Sequence, residues 1–232
     1  MADCHADMDT FSYNVAISAC ETGETWRQAV QFLCDMADRR VETDGITFSS
    51  AVSACDKGGE WQQALQVLAD MVKAAVEQNN ISCSAAISAC AKGGEWRTAI
   101  RLLREMRGSR IQMNTVTYSA AIRACGKGGA WIRVSHLLRE MADSHVAKNS
   151  ITCGSAISAC EQGGQWIHAL QILQSMENDC IAIESITCGA AISACEKCGE
   201  WRQALKLFAR VSACKVELDT ITYNAAISAC EK

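Results

Sequence analysis

The chain has 232 residues, 49% of them hydrophobic, a net charge of −4 and no proline. No apolar run is long enough to cross a membrane, the charge gives no global basic signature for nucleic acid, and the lack of proline favours uninterrupted helices. Length alone suggests one or two globular domains.

The order of segments overrides that prior. Residues 1–9 form an acidic leader with neither an apolar core nor an Arg-rich amphipathic pattern, so it reads as neither a secretory signal nor a transit peptide. Six units of 35 residues follow, at 10–44, 45–79, 80–114, 115–149, 150–184 and 185–219. Residues 220–232 are the first helix of an incomplete seventh, and their ITYNAAISACEK has near-copies in every unit, such as ITFSSAVSACDK at 46–57. Such an ending fits an excerpt of a longer array or a half-repeat used as a cap. Six tryptophans, Trp26 to Trp201, keep the same step. A period of this length marks a solenoid, in which each repeat touches only its neighbours. The expected fold is all-α, with thirteen helices.

Within one repeat, positions are counted from Thr10, Gly45, Asn80, Thr115, Ser150, Ser185 and Thr220. Position 3 is always Ser or Thr and is the expected N-cap. Apolar residues follow at positions 4, 7, 8 and 11, the spacing of an amphipathic helix. Position 7 is always alanine, Ala16 to Ala226, small enough to let a partner helix approach closely. Positions 14 and 15 are mostly Gly-Gly, a helix terminator. A second helix begins near the tryptophan of position 17, and its apolar stripe places that tryptophan in the core. Seven cysteines at position 11 are related by translation along the stack; neighbours roughly 8–10 Å apart are too distant for disulfides, so they read as buried thiols. Cys195 and Cys198 form a lone C-x-x-C with no second pair to complete a zinc site. No metal or cofactor is expected.

These residues resemble the pentatricopeptide repeat family. TYN at 222–224, KCGEW at 197–201 and QAL at 203–205 stand where that family carries its Tyr-Asn pair, its Lys-x-Gly and its Ala-Leu. The resemblance covers residues 10–232. It implies a right-handed superhelix binding single-stranded RNA, one nucleotide per repeat, with each base read by position 5 and position 35 of the same repeat. Those pairs are Asn14 with Asp44, Ser49 with Asn79, Ser84 with Asn114, Ser119 with Asn149, Gly154 with Glu184, and Gly189 with Asp219. By the family code they read U, A, A, A, a weak purine position and a weak G. The apolar residues of position 2 are expected to sandwich the bases: Phe11, Ile46, Ile81, Val116, Ile151, Ile186 and Ile221. The resemblance also implies work in a chloroplast or mitochondrion, in RNA processing, stability or translation.

Lysines at position 13 (Lys57, Lys92, Lys127, Lys197) are candidate phosphate contacts. A cation complementing a helix C-terminus is the structural alternative. The four histidines share no repeat position, and no H-x-E deaminase motif occurs, so no catalytic residue is assigned. A protein- or peptide-binding scaffold is the alternative function, and the net negative charge is its best argument.

Overall fold

The computed structural model describes residues 9–23, 25–213 and 220–231, without the side chains of Ala213, Ile221 and Glu231. Among the described residues there are thirteen α-helices and no strand: α1 Thr10–Thr22, α2 Trp26–Asp38, α3 Gly45–Lys57, α4 Trp61–Lys73, α5 Asn80–Lys92, α6 Trp96–Gly108, α7 Thr115–Lys127, α8 Trp131–Asp143, α9 Ser150–Gln162, α10 Trp166–Asn178, α11 Ser185–Lys197, α12 Trp201–Ala213 and α13 Thr220–Glu231. The chain forms two compact units, residues 1–113 and 114–232. In the first, α1, α3 and α5 pack side by side, α2 lies across α1 and α3, and α4 across α3 and α5. In the second, α7, α9, α11 and α13 pack side by side, with α8, α10 and α12 each across two of them. The alanines make this possible. Ala51, Ala86, Ala121, Ala156 and Ala191 are completely buried. The even helices bury their own apolar residues against this face: Ala64, Leu68 and Met71 in α4, Val134, Leu137 and Met141 in α8, and Ala204, Leu207 and Val211 in α12.

Helix ends follow one scheme. Each odd helix from α1 to α11 starts directly after its N-cap, which from α3 onward is position 35 of the preceding repeat, so the expectation of a position-3 cap is corrected. Position 3 is instead the third helical residue. In α3, α5 and α7 its hydroxyl accepts from the N-cap backbone and closes a capping box. These hydroxyl residues are buried: Thr47, Thr117 and Thr152 have no exposed surface. At the far end, the N–H of position 16 returns to the carbonyl of position 11, as in Glu60 N to Cys55 O at 3.0 Å. The glycine of position 15 turns the corner with positive φ (Gly59 +74°, Gly94 +76°). Helices α2, α4, α6, α8 and α10 end the same way without glycine: Arg40, Ala75, Arg110, His145 and Cys180 hold φ of 54–56°.

The glycine of position 14 has another cause, since Gly58 and Gly93 have ordinary helical φ. A Cβ at Gly93 would stand 2.3 Å from Trp61 Cδ1, at Gly58 2.4 Å from Trp26 Cδ1, and at Gly163 2.6 Å from Trp131 Cδ1. In these three pairs the indole of one repeat lies on the bare backbone of the next. The tryptophans are therefore seam residues, not core: five are half-buried and Trp201 is 44% exposed. The first turn of a helix cannot cover a whole indole. Arg27, Arg97 and Arg202 lie over the rings of Trp26, Trp96 and Trp201, about 5 Å from centroid.

All thirteen described cysteines are free, and six of the seven at position 11, Cys20 to Cys195, are buried while Cys230 is exposed. Burial pushes the thiols of Cys55, Cys90, Cys160 and Cys195 up to about 11 and that of Cys125 to about 12. No described group of three or more His, Cys, Asp or Glu could hold a metal.

Candidate nucleic-acid interface

Because position 35 caps the next helix, part of its hydrogen-bonding capacity is spent inside the protein. Asp44 Oδ1 accepts from Ile46 N (2.9 Å), Thr47 N (2.8 Å) and the Thr47 hydroxyl (2.9 Å). Oδ2 remains, approached by Asn14 Nδ2 at 3.3 Å. Burial raises the Asp44 pKa, but hydrogen bonds from Thr47, Asn14 and Ile46 outweigh it and hold the carboxyl below its ordinary value. Asp44 is thus an anion with one oxygen turned into the helix start and the other held by Asn14 alone.

The asparagines divide differently. Asn79 Oδ1 accepts from Ser82 N at 2.9 Å, Asn114 Oδ1 from Thr117 N at 3.0 Å, and Asn149 Oδ1 from Thr152 N at 2.8 Å. The cap fixes each amide so that oxygen faces the helix and Nδ2, the donor, is left for another partner. In these helices an Asp cap leaves an acceptor and an Asn cap leaves a donor. Glu184 is the exception. It stands at the N-cap of α11, exposed, and its side chain makes no cap hydrogen bond.

Position 5 lies deeper. Ser49 and Ser84 are 6% exposed. Ser49 Oγ donates to Gly45 O at 2.6 Å and lies 3.2 Å from Asn79 Nδ2. Ser119 Oγ is 2.6 Å from both Thr115 O and Thr152 Oγ1. Each of these serines can place its single proton within the protein, which leaves lone pairs as its outward chemistry. Asn14 Oδ1 stands 2.6 Å from the Thr47 hydroxyl and competes with Asp44 Oδ1 for its single proton. The buried hydroxyl of position 3 thus joins positions 5 and 35 in the sites of Asn14 and Ser119. Sequence reading missed this member; its invariance as Ser or Thr was the available signal, and was taken for the cap. Gly154 and Gly189 carry no side chain here, and a Cβ on them would meet Thr187 Oγ1 at 3.3 Å and Thr222 Oγ1 at 2.9 Å. Asp219 lies outside the described residues, as does the Ile221 side chain.

Position 2 presents apolar side chains to solvent: Phe11 74%, Ile46 63% and Ile81 65% in the first unit, Val116 62%, Ile151 61% and Ile186 72% in the second. The lysines of position 13 are engaged by position 12 of the preceding repeat. Lys57 is 3.3 Å from Glu21, Lys92 3.2 Å from Asp56 and Lys197 2.9 Å from Glu161. Lys127 is exposed, and the preceding repeat has Ala91 at position 12.

Profiles described as "PPR repeat family", "Pentatricopeptide repeat domain" and "PPR repeat" match residues 78–127, residues 171–232, and residues 116–146 and 151–181 respectively. No curated protein sequence matches the chain. Among solved structures, the chain is similar to the pentatricopeptide repeat protein PPR10 from maize, at 22% identity over 94% of this chain and 31% of that one, with a TM-score of 0.66. It is also similar to PPR10 in complex with an 18-nt psaJ RNA element (14% identity, 97% of this chain and 38% of that one, TM-score 0.56). A third is the PPR domain of Arabidopsis thaliana protein-only RNase P 1 in complex with tRNA (11% identity, 82% of this chain and all of that one, TM-score 0.71). The chain spans about a third of the length of PPR10, and identities this low carry the fold alone. Repeat period, helix pairing and profile matches agree: the chain belongs to the pentatricopeptide repeat family.

Proposed function

We propose that this chain is a sequence-specific single-stranded RNA-binding module that reads one base per repeat. The observation that carries this reading is the row of apolar side chains at position 2, each more than 60% exposed. Solvent-facing Ile, Val or Phe at one fixed place in successive repeats fits a ligand with flat apolar faces, as bases have. Beside that row stand the cap residues with a defined atom to spare. The RNA complexes of PPR10 and of the protein-only RNase P 1 domain support the ligand class.

The leftover atoms fit particular bases. At Ser49/Asn79 and Ser119/Asn149 the protein offers an acceptor beside a donor, matching the amino group and ring nitrogen of adenine, and a short serine leaves room for a purine. Asp44 offers an acceptor, matching the ring N–H of uracil. The expected core is 5′-UAAA, followed by the two glycine repeats. Lys57, Lys92 and Lys197 would exchange their carboxylate partners for phosphate. Those pairs are partly exposed and worth about 0–1 kcal/mol. Lys127 would act without an exchange. Placement of this work in a chloroplast or mitochondrion, in RNA processing, stability or translation, rests on the family alone.

The test is Asn149→Asp. Both residues cap a helix, so folding is retained while the free donor becomes a free acceptor. In competition binding with RNAs differing only at the fourth base, preference is expected to move from A to G by about 1–3 kcal/mol. A uniform loss across all four RNAs refutes one-base reading. It would favour the alternative of a protein- or peptide-binding scaffold, for which capping alone explains Asn and Asp at position 35.

A further inference from the structure

Repeat five carries the pair that fits no common pattern, Gly154 with Glu184. From its geometry we infer that Glu184 is a specificity-determining residue that selects guanine at the fifth nucleotide. This inference rests on the one-base reading above.

The argument starts from what the cap consumes. Asp44 has one oxygen held by the Ile46 and Thr47 backbone N–H groups, which leaves only the other, beside Asn14 Nδ2, to meet a base. Glu184 has one more methylene, lies exposed, and gives neither oxygen to the helix start. It presents a whole carboxylate, an acceptor on both oxygens. The pairing edges of the four bases respond differently. Adenine and cytosine place a ring-nitrogen lone pair at the centre of that edge, opposite an anion. Uracil has one N–H flanked by two carbonyl oxygens. Guanine alone has two adjacent N–H donors, the ring imino and the exocyclic amino groups, spaced for the two oxygens of one carboxylate.

The rest of the repeat agrees with a purine. Position 5 is Gly154, so no side chain occupies the place where Ser119 stands one repeat earlier; the nearest atom to a Cβ there is Thr187 Oγ1 at 3.3 Å. The apolar neighbours needed to hold a base are in place, with Ile151 61% and Ile186 72% exposed. The fifth nucleotide thus becomes a discriminating position of the target, 5′-UAAAG.

The experiment uses the full chain and a set of single-stranded RNAs, 5′-UAAANG within a uridine-rich flank, with N each of the four bases. Expected is a preference for G at N of about 10-fold or more, the scale of a good bidentate contact. Glu184→Gln is expected to bring all four RNAs within about 3-fold of one another. Because Glu184 makes no cap hydrogen bond, its thermal melt should match the parent's. Equal binding of all four RNAs by the parent, while Asn149→Asp still switches the fourth base, overturns this inference and leaves the one-base reading standing. A G preference that survives Glu184→Gln assigns the contact elsewhere and also overturns it. Absence of binding to any of the RNAs removes the one-base reading itself, and this inference with it.

Discussion

Alanine at Gly93 should destabilise the array through Trp61 and through nothing else. The added Cβ would stand 2.3 Å from Cδ1 and 2.9 Å from Cγ and Nε1 of that indole. Carbon atoms in contact prefer about 3.5–4.0 Å, so the ring must retreat by more than an ångström from a seam it half fills. Overpacking of this kind costs about 1–3 kcal/mol. The backbone offsets part of it: Gly93 has φ −77°, which alanine adopts freely, and restricting the unfolded chain returns about 0.4–1 kcal/mol. The net expectation is a loss of up to about 2.6 kcal/mol. Gly94→Ala is the contrast. It meets nothing within 4 Å but must hold φ +76°, costing about 1–2 kcal/mol. The two singles could look alike, so the assay is a pair of double-mutant cycles with Trp61→Ala, read by urea unfolding and far-ultraviolet circular dichroism. In the Trp61→Ala background Gly93→Ala should become neutral or stabilising. The Gly94→Ala cost should stay within about 0.3–0.5 kcal/mol of its single value. If Gly93→Ala costs the same in both backgrounds, the indole is not why glycine stands at position 14.

Ala75→Gly should stabilise by about 1 kcal/mol, because Ala75 holds φ 56° where glycine carries no Cβ penalty; an unchanged or lower melting temperature speaks against strain there. The thiols raised by burial make stability pH-dependent. Below about pH 9 both states are protonated; above it the unfolded chain ionises first, so stability should fall as pH rises towards 11, where Cys55, Cys90, Cys160 and Cys195 begin to ionise in the folded state. Melting temperature across that range checks the slope, and at pH 8 a thiol reagent should label the exposed Cys34, Cys180, Cys198 and Cys230 but not the buried set. Lys92→Gln should weaken all RNAs about equally and lower the salt slope by about one, while costing under about 1 kcal/mol of stability for its partly exposed pair with Asp56. A change of base preference in that variant would place Lys92 at a base instead.

The helices were legible because periodicity survives in one dimension: the spacing of Tyr118, Ala121, Ile122 and Cys125 names a buried face without knowledge of what covers it. The tryptophans were misjudged for the same reason. Trp61 belongs to that stripe, but it is the first residue of its helix, and a stripe says nothing about the turn that is missing before it. The N-cap was displaced by three residues because a capping box needs a polar side chain at both of its ends. Asn79 and Ser82 are each good caps, and the choice between them is a matter of backbone angle. The lysine pairs were out of reach altogether, since Glu21 and Lys57 are 36 residues apart in sequence and meet only when repeats stack. Atoms left over by the caps, such as Asn149 Nδ2, become visible only after the bound ones are subtracted.

If the residue that starts each odd helix also faces the ligand, as proposed, it limits how such an array can change over evolutionary time. Asn and Asp start a helix about equally well. On the proposed reading, a lineage can pass between them and acquire a new target while every helix keeps its first hydrogen bond. Intermediates on that path are folded proteins. A step outside that small alphabet is different: α11, begun by Glu184, has given up its side-chain cap, typically about 1 kcal/mol, and its neighbours must hold it in place. On the same reading, specificity drifts freely only along directions that folding already permits, and a departure such as Glu184 is a place where selection for the ligand outweighed the helix.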